Sequence, residues 1–152
     1  EETRYSIASG VWDVVQLPFN LLNQEHGQYF DLAKESGVGV VVRSVLMQGM
    51  LSEQTQIAHP ALQRVDDLIA RYAAIARANR WSLAMMATKF ALHFKQVSAV
   101  LIGIDRIDYL NAALAVSEGD PIGDDVTQSL VEMAYDDPAF INLHQWKQQG
   151  WI

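Results

Sequence analysis

Three short apolar runs constrain this chain more than any other feature. Val38-Gly39-Val40-Val41-Val42 is β-branched and apolar without alternation, the pattern of a parallel strand covered on both faces. Trp12 to Leu17, with Val14, Val15 and Leu17 apolar, predicts a strand before it, ended by Pro18. Ala99-Val100-Leu101-Ile102-Gly103 predicts one after it.

The intervening segments have helical spacing. A helix over Arg4 to Ser9 ends at Gly10, and one over Gln28 to Ser36 ends at Gly37. Ser44 to His59 is a polar, glycine-containing loop, after which Pro60 can open a helix at no cost in hydrogen bonding. Leu62, Val65, Leu68, Ile69, Tyr72, Ala73 and Ala76 then recur at helical intervals to about Asn79. Ser82 is a cap for a helix over Leu83 to Phe94, Asp105 for one from Arg106 to Ser117, and Asp124 for one to about Tyr135. The remainder, with Pro138, Trp146 and Trp151, is aromatic but weakly periodic, a docked tail. Strands alternating with helices specify an α/β fold with right-handed crossovers. Three such strands leave open apolar edges, so the pattern is part of a larger α/β architecture.

Composition narrows the function. The 152 residues suit one domain, and the absence of cysteine excludes a disulfide scaffold, a thiolate metal site and a cysteine nucleophile. A net charge of -7 argues against a nucleic-acid binder. No apolar run has the roughly 18 to 20 residues needed to span a bilayer as a helix, and Glu1-Glu2-Thr3-Arg4 reads as neither a signal nor a transit peptide. The charged fraction of 19% is below the roughly 25% of average soluble domains, which predicts surface hidden against something else.

In folds of this class ligands bind where the strands end. The strand ends deliver Gln16 and Asn20, then Arg43, Ser44, Gln48 and Gly49, then Gly103, Asp105 and Arg106, all to one rim. Gln16 either binds a ligand or satisfies loop backbone. Arg43 either pairs with Asp13 or Asp105 or holds a phosphate or planar ring. Ser44 reads as a turn former, because no histidine is placed to activate it. Gly103 allows close approach to an anion. His26, His59, His93 and His144 lack metal-ligand spacing, Met85 and Met86 read as core, and the Asp66-Asp67 and Asp124-Asp125 pairs as solvated or capping groups.

The segments Trp12 to Asn20, Phe30-Asp31-Leu32-Ala33, Val40 to Leu46 with Gly49 and Leu51, Ala78 to Ala84, Phe90-Ala91-Leu92 and Ala99 to Ile104 occur in an order that resembles the second half of an aldo-keto reductase. The resemblance covers most of residues 2 to 117. It implies strands six to eight of a (β/α)8 TIM barrel, with residues 1–120 as barrel units and 121–152 as a C-terminal helix and docked tail. It also implies a cytoplasmic oxidoreductase that uses NADP or NAD to reduce a small aldehyde or ketone to an alcohol. Gln16 matches the glutamine that bonds the nicotinamide carboxamide, and Asn20 the asparagine of the same motif. Arg43 stands where many members stack a tyrosine on the nicotinamide. Ser44, Leu46 and Gly49 match the segment passing over the pyrophosphate. Gly103, Asp105 and Arg106 match the start of the adenosine-phosphate region.

Two departures qualify this. Leu110-Asn111-Ala112-Ala113 stands where many members hold adenine with a glutamate and an asparagine, and Tyr109 occupies one usual arginine place, so both NADP and NAD remain expectations. The family's catalytic aspartate, tyrosine, lysine and histidine belong to the first half, and none of Tyr5, Tyr29, Tyr72, Tyr109 and Tyr135 replaces the proton donor; no catalytic residue is expected here. A missing N-terminal half, or a second copy, is therefore expected to cover the strand edges. The other class of function is a non-catalytic interaction module reusing the half-barrel with another chain.

Overall fold

The computed structural model describes residues 1–53 and 59–152. Part of the loop expected over Ser44 to His59, residues 54–58, lies outside the described residues. Helix α1 (Glu2–Ala8) leads to strand β1 (Val14–Pro18). A 3-10 turn (Glu25–Tyr29) then runs into α2 (Phe30–Glu35), followed by strand β2 (Gly39–Arg43). Helices α3 (Gln63–Ala78) and α4 (Leu83–His93) precede β3 (Val97–Val100), and α5 (Ile107–Glu118), α6 (Asp124–Glu132) and α7 (Leu143–Gln148) complete the chain.

The strands form one parallel sheet in the order β1-β2-β3. Each neighbour is the next strand in sequence, joined through helices, as the alternation of periods requires. Val14 pairs with Gly39, and the register continues to Pro18 and Arg43. Between β2 and β3 the register slips by one residue: Val40 faces Val97 and Val41 faces Ala99. The extra residue, Ser98, turns its hydroxyl to accept the Val40 N–H at 3.3 Å.

Several expectations shift. The third strand lies at Val97–Val100 rather than Ala99 to Gly103, although the Leu101 N–H still donates to Val42 O at 2.8 Å. Pro18 is the last residue of β1 rather than its stop, since a strand's terminal residue tolerates a missing N–H. Asp105 caps nothing: Arg106 holds the cap position of α5 without a side-chain bond, and Gly123 rather than Asp124 holds that of α6. Ser82 does cap α4, accepting the Met85 N–H at 3.0 Å. The tail contains α7, whose Trp146 is buried.

Among the described residues, covering on both faces is not found. Val15 and Leu17, with Val40 and Val42, are buried under the helices, while Val14 and Gln16 on the other side of β1 are exposed. Phe19, just past β1, joins Phe30, Phe90 and Phe94 in an aromatic cluster that locks α2 and α4 onto that covered side. The accessible surface is 9106 Å², against roughly 7,700 Å² for a compact monomer of this mass. Apolar side chains are exposed on the bare side of the sheet and on α5, among them Val14, Leu101, Ile107 and Leu114. Among the described residues no helix is long and apolar enough to cross a membrane.

Candidate functional site

Among the described residues, the turn after β2 holds most of the non-glycine positions with positive φ. Ser44, Met47 and Gln48 adopt positive φ, at 61°, 46° and 56°, and Gly49 follows at 94°. Non-glycine residues there are uncommon and cost roughly 1–3 kcal/mol each when strained, so the surroundings must impose the path. They do so from several sides. Val45, Met47, Met50 and Leu51 are buried, and the Gly49 N–H donates to Leu46 O at 2.8 Å. Asn20 Nδ2 donates to Ser44 O at 3.3 Å, Arg43 Nη1 to Ser44 Oγ at 3.1 Å, and Lys147 Nζ of α7 to Gln48 Oε1 at 2.6 Å.

This turn borders a cleft of about 670 Å³. Leu46, Gln48 and Gly49 form one wall, Ser82, Met85 and Thr88 of the first half of α4 and its cap another, and Gly103, Asp105, Tyr109 and Ala113 the third. The sequence pattern missed Glu53, which also lines the cleft and whose Oε1 accepts the Leu83 N–H at the start of α4. Its carboxylate therefore complements the positive end of that helix. Thirty positions separate the partners, so no local spacing could have flagged them.

The rim residues separate into groups. Leu46, Gly49, Gly103 and Asp105 meet at the cleft. Asn20 is buried and structural in its bonds: besides holding Ser44 O, its Oδ1 accepts the Leu22 and Asn23 N–H groups at 3.0 and 2.9 Å. Gln16 and Arg43 are exposed on the bare side of the sheet, in line with Val41. Among the described residues no ion pair joins Arg43 to Asp13 or Asp105. Arg106 turns from the cleft to Asp108, 3.0 Å away, with its guanidinium 5.8 Å from the Tyr109 ring. Tyr72 is no proton donor: its hydroxyl is buried against Leu21 O and Met133 O at 2.8 and 2.6 Å, and burial pushes its pKa upward despite nearby Arg71.

The sequence model of the aldo/keto reductase family matches residues 8–134. The chain belongs to that family. No curated protein sequence matches it. Among solved aldo/keto reductases, AKR11C1 from Bacillus halodurans in its holo form superposes with a TM-score of 0.73 at 20% identity, over 90% of this chain and 47% of its own. The apo form of that enzyme gives 0.67 at 21% identity, over 83% and 46%. The glycerol dehydrogenase AKR11B4 from Gluconobacter oxydans gives 0.64 at 16% identity, over 79% and 41%. The chain spans about half the length of these aldo/keto reductase structures, and its sheet and helices are a part of their (β/α)8 barrel.

Proposed function

We propose that this chain is the C-terminal, cofactor-binding half of an aldo/keto reductase barrel, and that the whole protein reduces an aldehyde or ketone with NADH or NADPH. The observation that carries this reading is the cleft at the carboxyl ends of β2 and β3, the side on which barrel enzymes bind their ligands. Its residues fit a dinucleotide. A Cβ added at Gly103 would meet no protein atom within 4 Å, so packing leaves space there for a ligand to approach the backbone. Ala112 and Ala113 present small apolar side chains to the cleft rather than polar clamps.

In this reading the turn from Ser44 to Gly49 would lie along the pyrophosphate and Gly103 to Arg106 beside the adenosine end. Gln16, exposed on the bare face, would donate to and accept from the nicotinamide carboxamide. Arg43 on the same face presents a planar cation in place of a stacking tyrosine. The bound cofactor would supply the hydride for the carbonyl carbon. In this reading the chain orients it, and the acid would come from the covering half of the barrel.

Titration of the intact protein with NADH and NADPH, followed by nucleotide fluorescence, tests the proposal. Gln16→Ala should weaken the preferred cofactor by roughly tenfold, the loss of a buried amide pair. Unchanged affinity would remove Gln16 from the site, and failure of the unmodified protein to bind either nucleotide would overturn the reading.

A further inference from the structure

We infer that the cleft accepts a dinucleotide without a 2′-phosphate, NADH rather than NADPH, and that Asp105 is the residue that discriminates. The inference rests on the dinucleotide reading of the cleft above. It comes from the distribution of charge around it.

The charged residues lining the cleft, among those described, are Glu53 and Asp105, and no lysine or arginine lines it. The bordering elements do carry cations: Lys147 of α7 donates to Gln48 Oε1 in the cleft wall at 2.6 Å and Arg43 to Ser44 Oγ at 3.1 Å, while Lys89 and Arg106 are engaged away from the cleft. Lys89 of α4 donates to Asp120 O, with its ammonium 5.6 Å from the Trp81 ring centre. Arg106 is paired with Asp108. Residues 54–58, Gln-Thr-Gln-Ile-Ala, contain no base.

The helix starts point the same way. At α4 the Leu83 and Met85 N–H groups already bond Glu53 and Ser82, so the protein's own carboxylate occupies the place of an external anion. At α5 Asp105 stands just before the helix and Asp108 lies in its first turn, with one arginine between them. A phosphate monoester adds about −1.5 to −2 charge at neutral pH, which these groups repel. A carboxylate here serves a free ribose, since it accepts hydrogen bonds from sugar hydroxyls. Asp105 is exposed at the cleft wall and is the acid there not already bonded to a helix start in the contacts described.

The test is a direct comparison of NADH and NADPH binding to the intact protein, with 5′-ADP and 2′,5′-ADP as competitors. NADH and 5′-ADP should bind at least about tenfold more tightly than their 2′-phosphorylated counterparts, the size of a like-charge contact near a surface. Asp105→Asn should narrow that ratio by raising NADPH affinity, and Asp105→Arg should reverse it. Equal or tighter binding of NADPH, or a ratio unmoved in both variants, would overturn the inference while leaving the dinucleotide cleft in place. Binding of neither nucleotide would overturn both.

Discussion

At the residue scale, polar side chains at the strand ends divide into those that hold the backbone and those left facing open space. Asn20 uses both ends of its amide to pin two loops, whereas Gln16, four residues earlier, is exposed on the bare face. The sequence placed both at the end of β1 but could not separate them, because burial depends on what packs above each. His26 illustrates a further consequence of packing. Its Nδ1 is buried without a partner among the described residues, and burial holds its pKa below the usual histidine value; Glu25 opposes that shift and Arg43 adds to it. The unfolded chain therefore takes up a proton first as pH falls below about 6.5. The stabilisation by neutral His26 is complete above that value and is lost on acidification towards the lower folded pKa. Thermal melts of the intact protein at pH 7.5 and 5.5 should show a drop in Tm that His26→Gln reduces.

At the element scale, α7 is more than a tail. Periodicity missed it because six residues, Leu143–Gln148, are too few to display a repeating face. It is held by burial of Trp146 beside Phe140, with ring centres 5.7 Å apart, and by the Trp151 N–H donating to Trp146 O at 2.9 Å. Upstream of it, the Tyr135 N–H donates to Leu22 O at 3.0 Å and Asn23 Nδ2 to Pro138 O at 3.2 Å, so the C-terminal region is tied to the β1 loop. From α7, Lys147 reaches Gln48 in the strained turn at the cleft. Trp146→Ala should cost roughly 3–5 kcal/mol in urea unfolding, as expected for a fully buried aromatic side chain. It should also weaken nucleotide binding, because the clip on Gln48 loosens. A stability loss with nucleotide affinity intact would show that the turn keeps its shape without the tail. The long helices were legible from spacing, whereas β3 was misplaced by two residues at its start, since Val97 to Gly103 is apolar enough for either register.

At the scale of the whole molecule, one side of the sheet and one side of α5 are uncovered. Ile107, Leu110 and Leu114 fall at i, i+3 and i+7 on α5, an apolar stripe that in a finished protein faces a neighbour. If the other half of the barrel covers it, Leu114→Ser in the intact protein should lower stability by roughly 2–5 kcal/mol. A change within about 0.5 kcal/mol would mark the stripe as a solvent face instead. The sequence alone determined the class of fold, the parallel strands and the family resemblance. The first two follow from local period and unalternating apolar runs, and the resemblance from matched segments that occur in the family's order. Only the tertiary structure decided which side of each strand is bare, that Glu53 meets the start of α4, and that Asp105 rather than Arg106 lines the cleft. Those depend on contacts between residues far apart in the chain, and on which of two adjacent charges a short loop turns inward, neither of which a repeating pattern records.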